Sequence, residues 1–257
     1  MPQQRFQFAN RHGFELSARL DKPTDGDVTA YALFAHCFTC GKDIKAAYHI
    51  ARALNRAGIG VLRFDFTGLG ASQGVFADTN FSSNVADLID AARYMESHQM
   101  PPHMLIGHSL GGAAVIQAAA AIASVRAVVA IGAPSEPAHL ARHLEQVRLP
   151  LQQQGEADIT IAGRTLTIKQ QFIDDIEQVD MDRALKNMNR ALLILHSPHD
   201  TEVKIENAAQ LYRTARHPKS FVSLDTADHL LTDPQDSRYA GEMIAAWVQR
   251  YLPDNAP

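Results

Sequence analysis

Gly107-His108-Ser109-Leu110-Gly111 is the stretch whose residue types and spacing speak most directly of chemistry. The serine lies between glycines, with a short strand-like run at 104–107 before it and an Ala-rich helical pattern at 110–123 after it. That context fits a sharp strand-to-helix turn, in which side chains at the flanking positions would block the close passage of the two elements. The hydroxyl of Ser109 would then stand exposed at the head of a helix, where N-terminal N–H groups favour developing negative charge. Such a serine is a nucleophile for acyl transfer.

A serine hydroxyl is a weak nucleophile at neutral pH and needs an adjacent base, itself oriented by a third group. Behind an elbow of this kind the chain order is Ser, then Asp or Glu, then His. Each partner should fall in a loop just past the C-terminal end of a strand. The run ALLILH at 191–196 is followed by Ser197-Pro198-His199-Asp200, where Asp200 is the only carboxylate. The last strand pattern is followed by Asp225-Thr226-Ala227-Asp228-His229, where His229 is the only histidine. Asp200 and His229 are therefore the expected acid and base. Asp225 and Asp228 are expected to form turns, and His196 and His199 to serve as local hydrogen-bond partners. His217, just before Pro218, falls at the wrong end of a strand. Because the base must be neutral to act, activity is expected to fall as pH drops below about 6.5. The oxyanion needs donors as well: one N–H from Leu110, and one from the loop HCFTCG at 36–41 after the third strand.

Short apolar runs alternating with amphipathic stretches must position these residues. Residues 5–9 and 14–20 read as an opening hairpin, and 30–36, 60–65, 104–107, 127–131, 191–196 and 220–224 as further strands. Helical periods cover 44–57, 85–97, 110–123, 203–215 and 237–251. The order implies βαβ units, a mostly parallel sheet and right-handed crossovers. The rhythm breaks from 135 to 189, where alternating runs around Gly163 read as a second hairpin in an insertion over the C-terminal edge of the sheet. One domain spanning 1–257, with a cap at about 135–189, is the expected organisation.

Hydrophobic residues make up 46% of the 257, enough for a sizeable core and against a disordered chain. Lys and Arg total 24 against 28 Asp and Glu, a net charge of −4 with no basic stripe, so nucleic acid is not an expected partner. Two cysteines make no disulfide framework. The N-terminus lacks the apolar core of a signal peptide, and no apolar run nears the roughly 18 residues of a membrane span. A cytoplasmic location away from the membrane is expected.

Taken together, HCFTCGKD, FDFTGLGASQG, GHSLGG, HSPHDTEV and ADHLL resemble the serine α/β-hydrolase superfamily. More closely, they resemble the hydrolase that bacteria carry alone or fused ahead of an OsmC-like peroxiredoxin domain. The likeness runs from about residue 5 to 251. It implies an α/β-hydrolase fold and makes Phe38 the second oxyanion donor, as third residue of a His-Gly-Phe pattern. Cys37 stands where glycine is common, which questions a positive φ there. No OsmC-like domain follows Leu252, so the chain reads as a stand-alone relative or as the hydrolase part of a longer protein. The insertion is similar to the cap of feruloyl and cinnamoyl esterases.

Two other patterns compete for attention. Cys37-x-x-Cys40 could be a redox pair or half a zinc site; two thiols in a tight active-site loop is the preferred reading. The glycines at 68, 70 and 74 resemble a dinucleotide fingerprint, but the spacing is one residue long and no helix follows, so a flexible loop walling the site is expected. The expectation is thus a carboxylic-ester hydrolase acting on small short-chain or aromatic acyl esters through Ser109, His229 and Asp200, with no cofactor or metal. Thioesters, amides and perhydrolysis stay open, as does oligomeric state. The rival readings are a non-enzymatic binding module of the same fold and a thiol-redox accessory protein.

Overall fold

Alternating side chains open the chain as a hairpin. Gln3–Ala9 (β1) and Glu15–Asp21 (β2) pair antiparallel from Gln3↔Asp21 to Ala9↔Glu15. Asn10 closes the turn by accepting N–H bonds from His12 and Phe14, and Gly13 takes φ 81. The computed structural model describes residues 3–24, 27–37, 39–138, 147–161 and 164–253.

The strands that follow are short and buried on both faces. They are Ala30–Ala35 (β3), Ile59–Phe64 (β4), Pro102–His108 (β5) and Ala127–Ile131 (β6). The helices between them are Lys45–Arg56 (α1), Phe81–Ser97 (α2) and Leu110–Ala118 (α3). Next come Arg148–Gln154 (α4), the hairpin Glu156–Ile161 (β7) and Arg164–Lys169 (β8), Gln170–Ile176 (α5) and Met181–Asn187 (α6). The chain finishes with Ala191–His196 (β9), Glu206–Thr214 (α7), Lys219–Ser223 (β10) and Pro234–Val248 (α8).

The main sheet has eight strands in the order β1-β2-β4-β3-β5-β6-β9-β10. Every pairing from β4 to β10 is parallel, while β2 runs antiparallel to β4. From β3 the chain crosses one way to β4 and then back past it to β5, so the order reverses beside β3, the place where such sheets collect ligands. Helices α1 and α8 bury one face with Ile50, Leu54 and Ile244. Gly241 lets them approach closely, since a Cβ there would lie 2.7 Å from that of Ala53. Helices α2, α3 and α7 cover the other face.

Departures from the sequence expectations are local. Helix α2 starts at Phe81 rather than 85, because Asn80 and Ser83 form a reciprocal capping box. Helix α3 stops at Ala118 and tightens into a 3-10 turn at Ala119–Ala121. The segment expected as an insertion holds its hairpin, with turn residues 162–163 outside the described residues, and also three short helices that the sequence reading did not anticipate. It leans on the α2–α3 face: Ser82 N–H donates to Asp175, and Gln171 exchanges bonds with the Asn80 amide and the Thr79 carbonyl.

Candidate active site

Ser109 sits between β5 and α3 with φ 56 and ψ −125, a conformation that L-residues rarely adopt. Its surroundings enforce the turn. A Cβ on Gly107 would lie 2.2 Å from the Gly111 carbonyl oxygen, and one on Gly111 would lie 2.4 Å from that of His36. The Ser109 N–H is spent on the Ile131 carbonyl of the neighbouring strand, at 2.8 Å. Three backbone segments thus converge where only glycine fits, and Ser109 is pinned among them.

The loops after β9 and β10 bring the two predicted partners to it. His229 Nε2 lies 3.0 Å from Ser109 Oγ, and His229 Nδ1 lies 2.7 Å from Asp200 Oδ2. The carboxylate accepts only, so Nδ1 carries the proton and Nε2 is left to accept from the serine hydroxyl. Asp200 Oδ1 takes the N–H groups of Glu202 at 3.0 Å and Val203 at 2.8 Å, which makes the same residue a turn cap. Burial opposes the charge on Asp200, but the His229 bond and charge and the Val203 N–H outweigh it and hold the carboxyl below its usual range. Asp228 forms a turn, as expected, by accepting the Thr232 N–H at 2.8 Å.

Three supporting residues lie beneath this relay. His108 is fully buried and its Nε2–H donates to the His229 carbonyl at 2.7 Å. Burial, then the positive charge His229 carries when protonated, pushes its pKa down to about 4, so it stays neutral. His196, expected as a local partner, donates Nε2–H to the Val203 carbonyl at 2.6 Å and braces the acid loop. Gly132 follows β6 with φ +53, and a Cβ there would lie 3.4 Å from Asp200 Oδ2 and 3.5 Å from His229 Nδ1. The sequence reading missed His108 and Gly132; for the second, a glycine directly after the strand pattern at 127–131 was the available signal.

On the oxyanion side, Leu110 opens α3 directly after the serine. Phe38 lies outside the described residues. Cys37 is not among the described non-glycine residues with positive φ, so the cysteine needs no glycine-like backbone. The expectation of two thiols is corrected: Cys37 and Cys40 are joined in a disulfide, their Cα atoms 5.2 Å apart. The glycine-rich loop is also more tightly held than expected of a flexible wall. Asp65 binds Lys42 Nζ at 2.6 Å, Lys42 N at 2.7 Å and Ala71 N at 3.0 Å, and a Cβ on Gly70 would strike its carboxylate. Burial works against that carboxylate, yet Lys42 and the two amides hold it below its ordinary pKa. Among the described residues no three His, Cys, Asp or Glu gather as a metal-binding group. No helix among them is long and apolar enough to cross a membrane.

A mostly parallel sheet flanked by helices, with a strained serine at the tip of its fifth strand, is the α/β-hydrolase fold. The Hydrolase_4 family, described as serine aminopeptidase, S33, matches residues 36–177, more than half of the chain, and the chain belongs to that family. The esterase domain of a Rhodothermus marinus protein is 48% identical with a TM-score of 0.81, over 98% of this chain and 100% of that one. Est1E from Butyrivibrio proteoclasticus, solved with ferulic acid bound, is 20% identical with a TM-score of 0.83, over 96% and 98% of the two chains. Among curated proteins, the uncharacterized protein YfhR of Salmonella typhi is 23% identical over 233 residues, covering 89% of this chain and 73% of its own. This protein is a hydrolase of the α/β serine type.

Proposed function

We propose that this protein cleaves small carboxylic esters, with short-chain or aromatic acyl groups, and that residues 1–257 act as one hydrolase unit capped at about 135–189. Ser109 Oγ attacks the ester carbonyl as His229 Nε2 takes its proton. Asp200 holds the imidazole in the required tautomer and stabilises its charged form. The backbone N–H groups of Leu110 and Phe38 receive the oxyanion. His229 then protonates the leaving alcohol, and water repeats the cycle on the acyl-enzyme, with no cofactor or metal invoked.

The observation that carries this reading is the continuous Ser109–His229–Asp200 relay, with contacts of 3.0 and 2.7 Å. A module kept only for binding would have no need to hold a serine at φ 56 in line with a tautomer-locked histidine. The esterase designation of the Rhodothermus domain, nearly half identical, supports ester over amide. The ferulic acid held by Est1E supports aromatic acyl groups.

The test compares the wild type with Ser109→Ala on p-nitrophenyl acetate, butyrate and octanoate. Removing the nucleophile should lower kcat by at least about 10⁴-fold with the fold intact. Equal rates in the two proteins would make the ester cleavage adventitious and overturn the assignment.

A further inference from the structure

His229 is carried on the loop between β10 and α8, and two residues outside the relay hold that loop from within the core. The first is His108, the last residue of β5 and the direct neighbour of Ser109. Its Nδ1 is buried and meets no partner among the described residues, so the one proton of the neutral ring belongs on Nε2. That Nε2–H donates to the His229 carbonyl at 2.7 Å, and the two rings lie 5.2 Å apart. The strand that delivers the nucleophile thus also grips the main chain of the base. The second residue is Leu231, which is 2% exposed and takes φ 53, a backbone region that a leucine rarely enters. Such a conformation persists only where the surroundings over-determine it. Here the Leu231 side chain belongs to the apolar cluster of Leu224, Ala227 and Ile244. Its N–H donates to the Asp228 carbonyl at 3.1 Å, and Asp228 Oδ1 accepts the Thr232 N–H at 2.8 Å. Residues 228–232 therefore form a closed turn that bears His229, with Leu231 as its plug in the core.

We propose that His108 and Leu231 are positioning residues for ester hydrolysis, together holding the 228–232 turn so that His229 Nε2 stays 3.0 Å from Ser109 Oγ. The inference rests on the hydrolase reading proposed above. Neither side chain makes a contact of the relay itself: His108 acts on the carbonyl of His229, and Leu231 acts on the turn that bears it. Releasing either grip leaves nucleophile, base and acid in place as groups but loosens the aim of the base. The loss then falls on proton transfer in the transition state, so kcat drops while KM holds. A misplacement of about 1 Å is enough to cost roughly 10²-fold in rate.

The test measures kcat and KM for p-nitrophenyl acetate on the full chain, with active sites counted by complete labelling with a fluorophosphonate. His108→Leu removes the donor, His108→Gln keeps an N–H in its place, and Leu231→Ala removes the plug. His108→Leu should lower kcat per labelled site by about 10²-fold, with KM within about threefold of the wild type. His108→Gln should recover most of that loss, and Leu231→Ala should lose about tenfold or more. Because both residues act on one turn, the double variant His108→Leu/Leu231→Ala should lose far less than the product of the two single losses. The far-downfield proton resonance of the His229–Asp200 bond should fade in His108→Leu and return in His108→Gln. Equal losses in His108→Leu and His108→Gln would overturn the proposal, as would losses that multiply in the double variant or that appear in KM instead of kcat. If His108→Leu fails to fold, Leu231→Ala decides alone, and an unchanged kcat per labelled site there overturns the shared grip. Ser109→Ala separates the two failures. A dead alanine variant beside a fully active His108→Leu sinks only the positioning roles, whereas an active alanine variant sinks the hydrolase reading itself.

Discussion

His108 offers the sharpest quantitative test of how this site is built. The residue is buried, neutral and committed to the His229 carbonyl, and its pKa is pushed down to about 4 by burial and by the positive charge His229 carries when protonated. Hydrogen bonding to that carbonyl and the charges of Asp200 and Asp228 pull the other way without prevailing. An unfolded chain binds a proton at this histidine near pH 6.5. Between those values the unfolded state therefore holds a proton that the native state refuses, and stability falls as pH drops. His108 has no such effect above about pH 7. It costs about 2 kcal/mol at pH 5 and levels off near 3 kcal/mol once pH is below about 4.

Replacement with glutamine isolates this contribution, because a carboxamide side chain does not titrate and can still donate from the place of Nε2. The His108→Gln protein should be the less stable of the two at pH 8. By pH 5 that gap should shrink by about 2 kcal/mol, read from urea unfolding midpoints and slopes. His103 and His196, whose pKa values burial also lowers, titrate in both proteins and cancel from the difference. A gap that stays constant within about 0.5 kcal/mol from pH 8 to 5 would refute the argument. It would mean that His108 takes a proton in the native state and that its grip on the His229 loop is not the neutral bond described.

Two further substitutions probe the scaffold. Gly132→Ala places a methyl at ordinary contact distance from Asp200 and His229 on a backbone of φ +53. Stability should fall by about 1–2 kcal/mol while kcat stays within about tenfold, so complete inactivation would show that the methyl does not fit. Arg63 is wholly buried against Asp21 at 2.7 Å and also donates to the Lys42 carbonyl. Arg63→Met should destabilise by about 3–5 kcal/mol in urea by stranding Asp21, and adding Asp21→Leu should recover most of it. No recovery in the double variant would refute that assignment.

What could be read from the sequence follows from how far each constraint reaches along the chain. The elbow was legible because its steric demand falls on Gly107 and Gly111, within two residues of Ser109. Asp200 and His229 were legible because each is the only residue of its type in a loop that a strand pattern locates. The capping box at Asn80 and Ser83 was overlooked because it lies outside the apolar period of the helix it starts. Gln170–Ile176 spans barely two turns, too few to display a period, and is held by burying Phe172, Ile173 and Ile176. His108 gave no local sign at all, since its partner carbonyl is 121 residues away. The cysteine spacing permitted thiols or a bond, and the turn geometry decided between them.

In the proposed reading, in which 135–189 caps the site, the packing of β8 and α5 bears on how substrate reaches Ser109. Ile168, Phe172 and Ile176 are buried to within 1% of full coverage and share one apolar cluster with Phe81 and Leu88 of α2. Exposing such side chains costs about 1.5–3 kcal/mol each. Swinging this segment away would therefore cost roughly 5–9 kcal/mol, before the bonds of Gln171 and Asp175 to the start of α2 are broken. That is as large as the whole stability of many domains, so an opened form would be present in fewer than about one molecule in 10³. The segment is therefore fixed against α2 rather than free to swing. For the proposed capped esterase, selectivity among acyl groups should then reside in the shape of a standing passage to the serine, and a substrate too broad for that passage should be excluded rather than admitted slowly.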